Sequence, residues 1–514
     1  MSTDASAPVG ATISVAAILA ESAKRRPDHP ALLFEGSQLS YRELWDQTRS
    51  IAGALESLGV RPGSSVAMMI PNTPNFVRVY YAILAVGAVV VPVHPLLRAG
   101  EIEHVLGTSA ASLFIVDASS PRDAHEAAAA IGCPLLVSGA SDADGLDSLA
   151  ANARPVDSYR PMNPLDPATV LFTSGTSGKA KGAVLSHFNL IEQTHIALID
   201  TFDVRQSDVL AAALPLSHVF GQSNVLNTGF RRGATVVLIQ RFNAADTLAE
   251  LTDTGCTVFA GVPTMYLSLL KEAGAGAQVP RLRYAISGGS SLPGTVIEDF
   301  SRVFGCAIHE GYGLSETSPT LTLNHVGDPP HVGSVGKPLW GVEVRIAAPS
   351  CDALVFCDEN AVGEVVVRGH GLFLGYLHDP QATDRAFSNG WFRTGDLGRI
   401  DALGRLTIID RTKDLIIRGG YNVYPRELEE ALTRMPGVHA VAVFGVPHDL
   451  LGQEVVAAVV GQDDLTADAV LAYAQAHIAR HKYPRHIVMV EELPLGPSGK
   501  ILKRVLASEW LSDR

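Results

Sequence analysis

Between Thr173 and Gly182 the chain reads TSGTSGKAKG, so that every residue except Ala180 is a hydroxyl, a glycine or a lysine. Glycines at 175, 178 and 182 let backbone N–H groups approach a ligand. The hydroxyls of Thr173, Ser174, Thr176 and Ser177 can donate hydrogen bonds, and Lys179 and Lys181 add positive charge. Strand-like Ala168–Phe172 precedes the loop and Gly182–Leu185 follows it. A polar loop clamped between two apolar strands is the chemistry of a polyphosphate cradle, not of a Ser/Gly linker. A Walker A loop is excluded, because the positions that must hold Gly and Ser/Thr hold Thr173 and Ala180.

Three more stretches carry usable chemistry. Gly311-Tyr312-Gly313-Leu314-Ser315-Glu316 is G-x-G-x-x-E, which lacks the last glycine of a dinucleotide fingerprint. An aromatic between glycines can stack on a purine, and a carboxylate at the end of such a loop can hold Mg²⁺ against phosphates. Asp396, in a Thr-Gly-Asp turn, is placed like a carboxylate that accepts two ribose hydroxyls, although such turns are also plain turns. Lys500 stands at the end of the Pro/Gly loop Leu493 to Lys500 before a final helix. It reads either as a solvated helix start or as a lysine delivered to a site by domain closure.

The elements that must position these residues alternate. Ser40 and Glu43 form a capping box for a helix closed by Gly59, and Ser65–Ile70 is a strand. A helix then runs to about Val86, followed by a strand at Ala88–Val93. Strands are also expected at Ala111–Val116, Val209–Leu214, Ala234–Ile239, Cys256–Ala260 and Tyr284–Ser287, with helices between them. That order predicts a mostly parallel sheet, whose ligands bind where strands end in glycine and serine. From Gly363 the pattern becomes strands in succession, Glu364–Arg368, Trp391–Leu397 and Leu406–Asp410. Arg411 to Tyr421 reads as a junction, and a small α+β unit follows it. The expected fold is therefore α/β: a large N-terminal domain of layered subdomains, residues 1–412, and a small C-terminal α+β domain, residues 413–514.

Composition narrows the partners. With 40 Lys+Arg against 53 Asp+Glu the net charge is -13, which argues against a nucleic-acid surface and for small molecules. Five cysteines without a CxxC pair indicate neither a disulfide framework nor a zinc site, and fit a reducing, cytoplasmic location. The uncharged run Val79–Leu97 is long enough to suggest a membrane span. It contains Gly87, Pro92, His94 and Pro95, and reads instead as a buried helix and strand, so no transmembrane segment is expected.

In order along the chain stand FTSGTSGKAKG, LPLSHVFG, SGGSSLP, EGYGLSE, WFRTGD, DRTKDLIIRGGYNVYPREL and PSGK. With these motifs the sequence resembles the adenylate-forming superfamily of acyl-CoA synthetases, luciferases and adenylation domains, over nearly its whole length, and most of all bacterial fatty-acid CoA ligases. The resemblance implies a two-step reaction with ATP, Mg²⁺ and coenzyme A: a carboxylic acid is activated to acyl-AMP, then passed to the thiol. It implies that Thr173, Ser174, Gly175, Thr176, Ser177, Gly178 and Lys181 wrap the β- and γ-phosphates, with Thr173 and Glu316 on the metal. Gly289, Ser290, Glu310, Gly311 and Tyr312 would line the adenine pocket, Ser315 the α-phosphate region, and Asp396 and Arg411 the ribose. Lys500 would be the catalytic lysine, beside Glu316 and Thr173. Lys413 would be a hinge that makes the small C-terminal domain mobile, and Gly419 and Gly420 would border the thiol channel.

His218, Val219, Phe220, Asn224, Val262 and Gly288 would wall the acyl pocket. That wall is apolar with no charged partner for an amino group, which favours a fatty or aryl acid over an amino acid. Ala180 replaces the usual proline of the loop and removes no ligand-contacting group. Ser315 replaces the commoner threonine and keeps the hydroxyl. The rival readings are an acyl-AMP ligase that loads an acyl carrier protein and an aryl-acid CoA ligase.

Overall fold

The computed structural model describes residues 10–139, 145–173, 179–274, 278–349, 353–496 and 501–512. The helix Tyr41–Ser57 opens as its sequence dictates, with Ser40 Oγ accepting from Glu43 N–H and the Glu43 carboxylate accepting from Ser40 N–H. Its apolar face, including Leu44, Ile51 and Leu55, is buried. The uncharged run is a buried helix, Pro74–Ala85, and a strand, Val89–Pro92. Among the described residues no helix is long and apolar enough to cross a membrane.

The chain packs as two compact units, Met1–Glu343 with Arg368–Phe387, and Val344–Val367 with Ser388–Arg514. The first contains two sheets. In one, strands Pro30–Phe34, Thr235–Leu238, Val209–Ala212, Val258–Gly261, Tyr284–Ser287 and Ile308–Gly313 lie side by side and parallel. Antiparallel edges close it at both sides. In the other, Leu135–Ser138, Leu113–Asp117, Ser65–Met69, Val89–Pro92 and Pro167–Thr173 are parallel. Lys181–Ser186 and Gly375–Tyr376 then add to that sheet antiparallel.

Helices cover both sheets. Gly294–Phe304 buries Val296, Ile297, Phe300 and Phe304 at helical spacing, in a core with Phe259, Tyr266 and Leu269. Each such side chain contributes about 1.5–3 kcal/mol by leaving water.

In the second unit, Gly363–Gly369, Trp391–Ile400 and Leu406–Arg411 form an antiparallel ladder. A separate sheet pairs Ile416–Arg418, Tyr421–Val423, Val438–His448, Gly452–Gly461 and His486–Met489. The helices Pro425–Thr433 and Ala467–His477 pack on its core of Val443, Val455 and Val459. The architecture is thus mixed α/β, with a large N-terminal and a small C-terminal domain, as the element order predicts.

Candidate active site

Parallel strands deliver their carboxyl ends to one edge of a sheet, and loops leaving that edge can meet around a ligand. The residues leaving four adjacent strands here are the ones that sequence motifs single out. His218, Val219 and Phe220 follow Val209–Ala212, Val262 follows Val258–Gly261, and Gly288, Gly289 and Ser290 follow Tyr284–Ser287. Glu310, Gly311 and Tyr312 lie in the strand Ile308–Gly313 itself. The Gly-Tyr-Gly motif is therefore a strand and not the loop its glycines suggest. Gly311 and Tyr312 pair with Leu323 and Thr322 of the next strand, and Ser315–Thr317 then turns as a 3₁₀-helix.

The other sheet supplies the phosphate-loop hairpin. Pro167–Thr173 and Lys181–Ser186 are antiparallel, with Thr173 opposite Lys181. Ser174, Gly175, Thr176, Ser177, Gly178 and Lys500 lie outside the described residues. Where the hairpin resumes, the Ala180 carbonyl accepts a 2.7 Å hydrogen bond from His104 Nε2, so the loop is pinned at its substituted position. At its other end the Thr173 hydroxyl lies 3.4 Å from Glu316 Oε1 and 3.5 Å from the Lys181 carbonyl.

Glu316 is buried, and the phenol of Tyr376 donates to its Oε1 at 3.0 Å. Burial, and the Glu316 carboxylate beside it, push the Tyr376 phenol well above its ordinary pKa, so it stays an O–H donor. The Lys181 ammonium stands over the same ring, 5.2 Å from its centre. A hydroxyl and a carboxylate are hard oxygen donors, suited to Mg²⁺. Among the described residues no three His, Cys, Asp or Glu side chains cluster. A cation held here would complete its shell with phosphate oxygens and water, as Mg²⁺ does in nucleotide sites.

The expected acid wall also converges. A side chain at Gly288 would lie 3.1 Å from the Phe220 ring, and one at Gly289 3.5 Å from Val262, so these residues share one surface. Phe220–Asn227 is a π-helix, which returns Asn224 to nearly the face of Phe220. Asn224 is buried, and its Nδ2 donates to Thr320 Oγ1 at 2.9 Å. Val219 is buried and His218 half-buried. Glu310 accepts from Leu292 N–H at 3.1 Å through Oε1, fixing the loop that follows Ser290.

In the second unit, Asp396 lies opposite Arg411 in the ladder, and Arg411 Nε donates to Asp396 Oδ1 at 3.0 Å. The Thr394 hydroxyl accepts from Asp396 N–H at 3.1 Å, which ties the turn. Lys413 lies in the exposed turn after this ladder. Gly419 and Gly420, with φ of 57° and 83°, form the two-residue turn between Ile416–Arg418 and Tyr421–Val423, a backbone that favours glycine. Leu495 and Ile501 form an isolated antiparallel bridge.

The family of AMP-binding enzymes matches this chain over residues 19–377, and the C-terminal domain of AMP-binding enzymes matches residues 427–500. The chain is an adenylate-forming, AMP-binding enzyme. A long-chain-fatty-acid–CoA ligase of Bacillus subtilis (strain 168) is 31% identical over 533 residues, covering 96% of this chain and 94% of the relative. A feruloyl-CoA synthase of an Amycolatopsis species is 34% identical over 485 residues, covering 94% and 96%. The structure of ATP-bound MatB from Rhodopseudomonas palustris matches with a TM-score of 0.89 at 30% identity, covering 97% of this chain and 99% of that one. Within the AMP-binding enzymes, this one stands among the acid–CoA ligases.

Some supporting residues of the AMP-binding enzyme are not singled out by its sequence. Tyr376 and His104 bind the phosphate-loop hairpin and its carboxylate. Asn72 spends its whole amide on the Leu214 loop: Nδ2 donates to the carbonyls of Ala212 and Leu214 at 2.9 and 2.8 Å, and Oδ1 accepts from Leu216 N–H at 2.8 Å.

Proposed function

We propose that this enzyme joins a medium- or long-chain fatty acid to coenzyme A in two steps, with residues 413–514 as its small domain. An acid carboxylate oxygen attacks the α-phosphorus of ATP, and pyrophosphate leaves. The coenzyme A sulfur then attacks the acyl carbonyl carbon, and AMP leaves. The observation that carries the reading is the meeting of Thr173 and Glu316 at the mouth of the phosphate-loop hairpin, because two hard oxygens there suit a magnesium ion that neutralises phosphate charge.

Thr173 to Gly178 and Lys181 hold the β- and γ-phosphates. Gly289, Ser290, Glu310, Gly311 and Tyr312 surround adenine, Ser315 serves the α-phosphate, and Asp396 with Arg411 binds ribose. Lys500 brings positive charge to the attacking carboxylate and the α-phosphate, where negative charge gathers in the transition state. Lys413 is the hinge, and Gly419 and Gly420 border the thiol path. The acid arrives ionised and needs no base, so His218 is a wall. The apolar surface of Val219, Phe220 and Val262 supports an alkyl or aryl tail, and the sparse free cysteines suit the cytoplasm.

An aryl acid is the second reading. The feruloyl relative and the aromatic ring of Phe220 against Gly288 favour it. So does Asn224 Oδ1, which is buried without a partner among the described residues and can meet a ring hydroxyl. Mass spectrometry of products from MgATP, coenzyme A and a mixture of short, medium, long and aryl acids decides between them. Medium- or long-chain acyl-CoA is the expected product. Aryl-CoA alone overturns the fatty-acid assignment, and acyl-AMP accumulating beside untouched coenzyme A points to an acyl carrier protein.

A further inference from the structure

The segment from Gly371 to Leu377 makes more contacts with the phosphate-loop hairpin and Glu316 than a two-residue edge strand requires. Leu374 N–H donates to the Val184 carbonyl and Leu377 N–H to the Gly182 carbonyl, each at 2.8 Å, which adds the segment to the hairpin. Phe373 N–H donates to the Glu316 carbonyl at 2.9 Å, and Ser318 Oγ donates to the Gly371 carbonyl at 2.8 Å. Glu316 and the turn that follows it are thereby tied to this segment. A side chain at Gly182 would lie 2.8 Å from Val170 and 3.4 Å from Leu377, so the close approach depends on a glycine in the hairpin.

From this segment Tyr376 reaches two groups at once. Its hydroxyl donates to Glu316 Oε1, and its ring underlies the Lys181 ammonium. Thr383 Oγ1 accepts from Tyr376 N–H at 2.9 Å, and Phe373 packs edge-on against the ring, so the side chain is fixed from its own side. A carboxylate has two oxygens of equal basicity, and a phenol hydrogen bond to one orients the group and directs the other outward.

We infer that Tyr376 is a positioning residue of the nucleotide site, which orients Glu316 for the divalent cation through its hydroxyl and holds Lys181 for phosphate through its ring. The inference rests on the proposed roles of Glu316 and Lys181, and it separates the two functions of one side chain. Tyr376→Phe removes the hydrogen bond and keeps the ring. Tyr376→Leu removes both.

The test is equilibrium binding of ATP to the whole enzyme without acid or coenzyme A, by calorimetry, with Mg²⁺ varied and with chelator present. Thermal melts establish that each variant is folded. For Tyr376→Phe, the Mg²⁺ concentration at half effect should rise roughly tenfold, the worth of a hydrogen bond to a charged group, with metal-free ATP binding unchanged. Tyr376→Leu should in addition weaken metal-free ATP binding about threefold, as the cation–π contact is lost. Wild-type Mg²⁺ dependence in Tyr376→Phe overturns the inference if Glu316→Gln, measured alongside, shifts that dependence. If Glu316→Gln also leaves it unchanged, the metal assignment of Glu316 falls, and the inference with it.

Discussion

Glu316 and Asp396 are both buried carboxylates, 8% and 3% exposed, yet the chain assembles their surroundings in different ways. Asp396 meets Arg411 across one rung of a ladder formed by consecutive strands, and the turn that carries it is tied by its neighbour Thr394. Glu316, which follows a strand of one sheet, is met by Thr173 from 143 residues away and by Tyr376 from 60 residues away, both on strands of the other sheet. A pair within one ladder forms whenever that ladder forms. The constellation around Glu316 exists only when both sheets of the first unit and the later strand Gly375–Tyr376 are in place, and it pays the loop-closure entropy of long separations. In the roles proposed for them, the ladder pair grips a constant part of the substrate, and the composite constellation serves the step that needs charge fixed most tightly.

The largest effect should come from the composite constellation. Glu316→Gln is expected to slow acid-dependent exchange of pyrophosphate into ATP by about 10³-fold, the scale of one lost electrostatic group at a reacting centre. A fall below tenfold would put Glu316 outside the chemistry. Lys413→Pro, in the turn just beyond the ladder, should reduce thioester yield roughly tenfold or more while pyrophosphate release stays within a few-fold, because proline fixes the dihedral there. Equal loss in both half-reactions would remove the hinge assignment. Asp396→Asn should act mainly on binding, raising KM for ATP about 10- to 100-fold with kcat within a few-fold, as expected for a charge-assisted pair of hydrogen bonds. A loss confined to kcat would erase the distinction between the two carboxylates.

The smallest effect at neutral pH concerns stability, and it separates the two units. Burial lowers the His187 pKa from 6.5 to about 4, with Asp166 opposing, and Nδ1 accepts from Val15 N–H. A base whose folded pKa is depressed contributes its full stability above pH 6.5 and loses it as pH falls toward 4, on the order of 3 kcal/mol. In the second unit, burial alone would raise the Glu454 carboxyl, but hydrogen bonds from Arg418 and Val455 N–H outweigh it and hold it below 4.5. That contribution is present above pH 4.5 and lost only as pH falls through the lower folded value. Denaturant melts between pH 7 and 5 should therefore weaken the first unit before the second, and His187→Gln should flatten that slope. An unchanged slope in the variant would assign the acid sensitivity elsewhere.

The same contrast governs what the sequence discloses. The hairpin, the Thr-Gly-Asp turn and the strand-end glycines are legible because each is a run of consecutive residues whose types fit one task. The alternating elements are legible because buried helices and strands impose their periods. Tyr376, His104 and Asn72 are not legible, because each acts on a segment far along the chain and carries no local oddity. The π-helix at Phe220–Asn227 is hidden for a related reason: its period leaves too few turns to register as a pattern. The strand at Ile308–Gly313 is hidden because glycines argue for a loop, while pairing with Leu323 and Thr322 decides otherwise.

The strand Gly375–Tyr376 has a last consequence, for manufacture of the protein. It completes the edge of Lys181–Ser186, but a ribosome makes it long after that hairpin has emerged. In the interval the hairpin offers an open rim of unpaired N–H and C=O groups with Val184 and Leu185 beside it, the kind of rim to which other chains attach. The nascent enzyme is thus most prone to sticking while its proposed nucleotide site is unfinished, and the strand that carries Tyr376 is also the one that seals the rim.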